Sequence, residues 1–184
     1  MTMKMTKTML GVLIATASLA AQGANLTFTA TASVSAPGKK ASVPVTIHID
    51  NFIADADRDK IAALVKANDH AGTTKALAAL PDLGYITLGE KRTPLKYAYA
   101  RPTGSGRLIT VVTAQPLFFI GGAEKNAKPK AGYDLGLALL VLDGNDAGDG
   151  ELAPAVKVKV DNGAIVTDDY GSEKVRLVKV AKAK

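Results

Sequence analysis

The stretch "YDLGLALLVLDGNDAGDGELAPAVKVKV", residues 133–160, decides the fold because two strand-like runs enclose a possible turn. The first run, "YDLGLALLVL", is mostly apolar, and the second, "ELAPAVKVKV", ends in the alternation of a half-buried strand. The nine residues Asp143 to Glu151, at the join, hold four acids, one Asn and three glycines. Such a segment is either a tight turn or a calcium loop.

A calcium loop of the EF-hand type fits this segment poorly. It needs oxygen ligands at positions one, three and five, Gly at six, a bidentate Glu at twelve, and flanking helices. Counted from Asp143, Asn145 and Gly148 match positions three and six, but position five is Ala147 and position twelve is Pro154. Because Asn, Asp and Gly tolerate positive φ, we predict a hairpin turn. A weak calcium site stays open as the alternative, with the candidate ligands Asp143, Asn145, Asp146 and Asp149.

Alternation elsewhere in the chain predicts further strands. Thr27 to Ser35 alternates Phe28, Ala30, Ala32 and Val34 with hydroxyl residues. Val43, Val45, Ile47 and Ile49 likewise alternate, with Pro44, Thr46, His48 and Asp50. The later strand predictions are Gly84 to Leu88, Leu95 to Arg101, Leu108 to Ala114, Ala164 to Thr167 and Lys174 to Val180. Short links such as "DNG" at residues 161–163 favour antiparallel hairpins.

Two helices interrupt the strands. In "DADRDKIAALVKAN" the residues Ile61, Leu64 and Val65 share one face, with Asp55 as the expected cap. A shorter helix follows, with Thr73 as its expected cap and Pro81 as its stop. We therefore predict an α+β domain: a mainly antiparallel β-sheet, sandwich or barrel-like, with an inserted two-helix hairpin.

The N-terminus predicts export. Residues 1–7 carry two lysines and no acid, and the uncharged, apolar stretch Thr8 to Ala21 follows, as in a secretory signal peptide. We expect residues 1–20 to be this signal, cleaved near Ala20, and residues 21–184 to be one domain with a frayed tail from about residue 181. The predicted location is secreted or periplasmic. Because the apolar stretch is shorter than the roughly 20 residues of a span, membrane contact is expected only through this export signal.

Composition narrows the function classes. The chain of 184 residues is 47% hydrophobic and 22% charged, which favours an ordinary globular domain. It holds no cysteine, so thiolate catalysis, thiolate metal sites and disulfides are excluded. Without Lys4 and Lys7 the formal charge falls from +6 to +4, a mild excess. Aromatic residues are 5% of the chain and its lysines are dispersed, which argues against a nucleic-acid partner.

No catalytic constellation emerges from the sequence. The two histidines, His48 and His70, fall on a strand and in an interhelix loop. Ser105 lacks the G-x-S-x-G flanks of a hydrolase nucleophile, and no Gly-rich phosphate motif is present. The adjacent carboxylates Asp168 and Asp169 would point to opposite strand faces unless a turn rotates them. The sequence therefore favours a non-catalytic domain without a cofactor over an enzyme.

Aromatic residues are the candidates for ligand or partner contact. Tyr97 and Tyr99 in "KYAYAR" fall on one strand face, and Phe118 and Phe119 precede a lysine-bearing loop. Core packing is the competing interpretation for these side chains. The first functional hypothesis is an exported module that binds a protein or a surface. The alternatives are a carrier that encloses a small apolar ligand in a curved sheet, and, least supported, a carboxylate- or metal-dependent hydrolase.

The order of the segments also carries a resemblance. "ADADRDKIAALV", "ALAALPDLGYI", "YAYARP", the stretch of residues 133–160 and the closing "VRLVKV" together resemble a family of uncharacterised secreted bacterial proteins. The resemblance runs over roughly Val43 to Val180. That family has no assigned activity, so the resemblance implies export and a turn at Asp143 to Glu151 but no ligand or catalytic residues.

Overall fold

The computed structural model describes residues 23–36, 39–117, 130–171 and 174–183. The export signal predicted for residues 1–20, with its cleavage site, and Phe118 and Phe119 lie outside these residues. Ten strands and two helices form in the described part of the chain. They are β1 (Gly23–Ala36), β2 (Lys39–Asn51), α1 (Asp55–Lys66), α2 (His70–Ala79), β3 (Gly84–Leu88), β4 (Lys91–Pro94), β5 (Tyr97–Pro102), β6 (Gly106–Thr113), β7 (Leu135–Asp143), β8 (Ala147–Asp161), β9 (Ala164–Tyr170) and β10 (Val175–Lys182).

All strands belong to one antiparallel sheet that curls into a half-barrel. Its order is β4-β3-β2-β1-β10-β8-β7-β6-β5, and β9 pairs with β8 beside this path. The expectation of an α+β fold with a mainly antiparallel, barrel-like sheet and a two-helix insertion is confirmed. The helices enter between β2 and β3, and α1 packs on β8.

The two ends of the curled sheet meet in one chain segment. β4 and β5 are separated only by Leu95 and Lys96. The Leu95 amide donates to the Gly84 carbonyl at the start of β3, and the Lys96 amide donates to the Val112 carbonyl on β6. This short connection therefore fixes how far the sheet curls.

The apolar half of each alternating strand faces the inside of the curl. One inner row crosses the sheet from Ala32 on β1 through Leu177, Gly150 and Leu140 to Ile109 on β6. The side chains of this face fill the interior, because nearly all are fully buried. Its largest members are Phe28, Ile47, Ile49, Ile86, Ile109, Leu140 and Leu142.

Strand β8 pairs with three other strands and so connects the parts of the sheet. It pairs with β7 on one edge, while its other edge pairs first with β10 and then, from Val156 to Asp161, with β9. A Cβ on Gly148 or Gly150 would collide with a carbonyl oxygen of β7. These two glycines let the backbones approach closely, which is how sheets accommodate tight curvature.

A β-bulge on β10 adds to the curvature. Between Leu177 and Val180 the strand holds one residue more than β8 opposite it. Lys179 lies in this bulge with a φ of +55°. The other non-glycine residues with positive φ in the described chain are Asn or Asp, which tolerate this conformation better than Lys.

Three boundaries differ from the sequence predictions. The caps differ because α1 begins after Ala54, without a side-chain cap, and Asp55 is already helical and pairs with Arg58. Asp69, not Thr73, caps α2 by accepting from the Gly72 amide. The tail expected to fray from residue 181 instead belongs to β10 up to Lys182. The next amide, of Ala183, donates to the Thr27 carbonyl and so continues the pairing of β10 with β1.

We expect Gly150→Ala to lower the free energy of unfolding by about 1 to 3 kcal/mol, because its Cβ would force the β7 and β8 backbones apart. Gly144→Ala is the matched control. A Cβ there meets nothing within 4 Å, so the change should stay within about 0.5 kcal/mol. Urea denaturation of the two variants measures both values, and equal stabilities would contradict the role given to Gly150.

Lys179→Gly should raise the free energy of unfolding by about 0.5 to 1 kcal/mol. The substitution removes a left-handed conformation that costs an L-residue about 1 to 2 kcal/mol, and glycine entropy offsets part of the gain. Lys159→Gly, at an exposed position of β8 with no positive φ, should instead lose stability. Thermal unfolding of both variants checks the opposite signs.

Candidate functional site

A charge-free array of hydroxyl groups covers the outer surface of three strands. Strand alternation places the hydroxyl residues of β1 opposite those of β2, and the row Thr29, Thr46, Thr87 crosses from β1 to β3. Neighbours stand roughly 4.8 Å apart across strands and about 6.7 Å along them. This "hydroxyl face" consists of Thr27, Thr29, Thr31, Ser33, Ser42, Thr46 and Thr87, all of them half-exposed or exposed.

Charged residues border the hydroxyl face but do not enter it. Arg92 stands opposite Thr87 on one side, and Arg176 stands opposite Ser33 on the other. Between them, the outer row of β2 is neutral from Ser42 to His48, with Pro44 opposite Thr31. Lys40, opposite Ser35, and the exposed Asp50 carry charge at the two ends of this row. Depletion of charge at the centre with a charged rim is the composition of protein interfaces.

A side-chain stack orders one margin of this face. The His48 ring stacks on Tyr85 with 5.0 Å between centroids, and the Arg92 guanidinium lies 3.4 Å from the centroid of the Tyr85 ring. His48 Nδ1 lies 2.7 Å from Thr27 Oγ1, and its Nε2 lies 3.0 Å from Asp50 Oδ1. Because these contacts hold the side chains in place, less conformational entropy is lost when a partner binds.

The acid-rich segment forms a hairpin turn between β7 and β8. Asp143 Oδ1 accepts from the amides of Asn145 and Ala147, at 2.8 and 3.0 Å. Asp146 pairs with Arg107 Nη2 at 2.8 Å. Asp149 lies further along β8 and is exposed. Among the described residues, no group of three or more His, Asp or Glu is placed to hold a metal.

The structure separates the candidate aromatic residues. Tyr97 is 0% exposed, so its ring is part of the core. Tyr99 is half-exposed, and the Arg58 guanidinium lies 5.2 Å from its ring centroid. Phe118 and Phe119 lie outside the described residues. Tyr97 and Tyr99 do share a strand face, but only Tyr99 reaches the surface.

The hairpin of β8 and β9 from Val156 to Tyr170, here called the arm, extends beyond the sheet. Residues Lys157 to Asp161 of β8 pair with β9 alone, so the arm has no other strand partner in the described chain. It lies over the outer face of β6 and β7. Sequence reasoning missed the arm because the alternation of β8 does not reveal where the strand changes partner.

Two tyrosines tether the base of the arm. The Tyr133 hydroxyl donates to Asp169, and this bond raises the pKa of Tyr133 and lowers the pKa of Asp169. The Tyr170 hydroxyl donates to Glu151 Oε1 at 2.8 Å, and Lys174 pairs with the same carboxylate. Burial and then this bond raise the pKa of Tyr170, and Glu151 raises the pKa of Lys174.

Two clefts lined by described residues are small. One, between α2 and the arm, has room for about one water and is lined by His70, Thr74 and Lys157 among others. The other is an open depression of about 180 Å³ beside Pro94 and Lys96, below the roughly 300 Å³ of a typical ligand pocket. No helix within the described ranges has the length and apolar character to cross a membrane.

Comparison with known proteins finds no match, whether with protein-family models, curated proteins or solved structures. The surfaces described above therefore carry the functional argument.

Tyr133→Phe should move the pKa of Asp169 up toward its ordinary value, because the phenol hydrogen bond is the main cause of its depression. A group with a lowered folded-state pKa stabilises the fold above its unfolded pKa, and that contribution is lost as pH falls through the folded value. The free energy of unfolding of the variant should therefore depend less on pH in the acidic range than that of the unchanged protein. Carboxyl ¹³C titration by NMR measures the shift, and Tyr170→Phe, which leaves the Tyr133 bond in place, is the control.

Proposed function

We propose that the protein is an exported binding module that docks on a protein or a surface through the hydroxyl face. The observation that carries the proposal is the absence of charge at the centre of this exposed sheet face, between the rim residues Arg92 and Arg176. Charged residues are depleted at the centre of protein interfaces relative to the rest of the surface. A neutral hydroxyl array keeps hydrogen-bonding capacity and costs less to desolvate than charged groups do.

Export supports this function and is part of the proposal. The basic N-terminus, the short apolar stretch and the resemblance to secreted bacterial proteins all favour a secreted or periplasmic location. A cysteine-free domain suits an oxidising compartment, since it has no thiol to oxidise or mispair.

The described residues support the two competing functions, a carrier and a hydrolase, less well than they support a binding module. A carrier would need space inside the curled sheet, but large side chains such as Phe28, Ile47 and Leu140 fill the inner face. A hydrolase would need convergent carboxylates or a metal-binding group. Asp168 pairs with Lys159 while Asp169 binds Tyr133, so these two acids serve separate contacts.

Photo-crosslinking in the cell that makes the protein tests the proposal. A benzophenone amino acid at Thr29, Ser42 or Thr46 should give a discrete crosslinked product, because these side chains would lie in the interface. The matched control positions are the exposed helix residues Ala63 and Lys75, which should give none. Equal crosslinking from the helices would contradict the proposal. So would a product of twice the monomer mass, since it would show self-association instead of a separate partner.

A charge placed at the centre of the face should abolish the product. We expect Thr46→Lys to reduce crosslinking from Ser42 about tenfold or more, because an unpaired charge would be desolvated in the interface. Lys75→Glu changes a charge on α2 and should leave the yield unchanged. An undiminished yield from the Thr46→Lys protein, with its fold intact by circular dichroism, would refute the role of this face.

A further inference from the structure

The arginines of the protein fall into two groups. The chain contains five of them, and all five lie in its described part. Three form an ion pair with an Asp of the same chain, and these are Arg58, Arg101 and Arg107. The other two, Arg92 and Arg176, are exposed and have no carboxylate partner among the described residues. Because these two arginines are the residues that border the hydroxyl face, their free charge is available to whatever docks there.

The two unpaired arginines stand diagonally across the hydroxyl face. The strand order β4-β3-β2-β1-β10 places Arg92 and Arg176 four strand spacings apart. The cross-strand row of Arg92 meets β1 at Thr29, whereas Arg176 stands opposite Ser33, four residues further along β1. With strands about 4.8 Å apart and a rise of about 3.3 Å per residue, their Cα atoms are separated by up to roughly 23 Å. No single small ligand spans this distance.

Side-chain stacking holds the Arg92 guanidinium in place. Its central carbon lies 3.4 Å from the centroid of the Tyr85 ring, and that ring stacks on His48. His48 is in turn fixed by its contacts with Thr27 and Asp50. Stacking uses the face of a guanidinium and leaves the N–H donors at its edge free. Arg92 is therefore an ordered cation whose donors have no acceptor in the described part of the chain.

The pattern of charge favours a protein as the partner. The planar fork of an arginine matches a carboxylate, which accepts two parallel hydrogen bonds from it. Nucleic acids and anionic membranes carry charge at close intervals, so they would leave unpaired phosphates over the neutral centre of the hydroxyl face. A protein with a neutral centre and acidic side chains at its rim fits better. The separation of the arginines also suits a patch of about 800 Å² per partner, which is roughly 30 Å across.

We propose that the hydroxyl face binds a protein that carries two acidic side chains, one for Arg92 and one for Arg176, on either side of a neutral polar centre. This inference rests on the proposed docking of the hydroxyl face and adds the chemistry of the partner. Arg92 is the stronger anchor, because its guanidinium is already ordered and loses less conformational entropy on pairing. Thr87, directly opposite Arg92, offers a further hydroxyl donor to the same carboxylate.

Charge reversal at each arginine tests the inference in the photo-crosslinking experiment with the benzophenone amino acid at Thr29. Arg92→Glu should lower the yield of the crosslinked product about tenfold or more, because the carboxylate of the partner would meet a like charge. Arg176→Glu should lower the yield by a smaller factor. The matched control is Lys75→Glu, which makes the same change in net charge on α2 and should leave the yield unchanged.

Arg92→Lys separates the arginine fork from its charge. The lysine keeps the positive charge but loses the planar donors and their preorganised geometry, so the yield should fall roughly three- to tenfold. Circular dichroism should show an intact fold in every variant, because both arginines are exposed. A yield from the Arg92→Lys protein equal to that of the unchanged protein would contradict the pairing of Arg92 with a carboxylate.

Mass spectrometry of the crosslinked product identifies the partner and permits a reciprocal test. Changing the partner's acidic residue nearest the crosslink to Lys should restore the yield of the Arg92→Glu protein to within about threefold of the original, because the two charges are exchanged. A product that contains lipid or nucleic acid in place of a protein would overturn the inference.

The outcomes separate this inference from the docking on which it rests. Equal yields from the unchanged protein, Arg92→Glu and Arg176→Glu would overturn the acidic partner and leave the hydroxyl face as a docking surface. Absence of a product from every position on the face would overturn both.

Discussion

The fold depends on the close approach of two backbones at Gly148 and Gly150 of β8. A side chain at either position would meet a carbonyl oxygen of β7. Gly150 also interrupts an inner row of bulky residues, between Leu177 and Leu140. Without a Cβ at this point the strands draw together and the sheet curls, which encloses the core on its concave side.

The curl makes the two halves of the outer surface different. On β5 to β7 the outer residues include Val112 and Leu137, which are apolar and buried under the arm. On β1 to β3 the outer residues are hydroxyl-bearing and open to solvent. The long strand β8 causes the difference, since its second half leaves the path of the sheet and covers only one side.

The two halves of the outer surface, β1 to β3 and β5 to β7, differ in what they could contact. The hydroxyl face is broad, neutral and ordered at its margin by the stack of His48, Tyr85 and Arg92, as suits a large partner. The outer surface of β5 to β7 is by contrast closed to solvent where Val112 and Leu137 lie.

Local patterns in the sequence determined the strands, the inner face and the turn. Alternation assigned Phe28, Ala32 and Val34 to the core, and the Asp and Gly chemistry of residues 143–151 predicted a hairpin. The hydroxyl face was visible as "TFTATAS" on β1, although nothing local showed that the surface around it would stay neutral. These features follow from a period of two residues and from turn stereochemistry, which act over short distances.

Only the tertiary structure decided which outer strand faces are buried by another part of the chain and which stay exposed to solvent. Tyr97 and Tyr99 belong to the same face, yet the arm buries the first and leaves the second half-exposed. The bulge at Lys179 and the change of partner along β8 also depend on strands distant in sequence. The period of two residues shows which side chains share a strand face. Which segment packs against that face, or whether solvent does, depends on the pairing of strands that are remote in sequence.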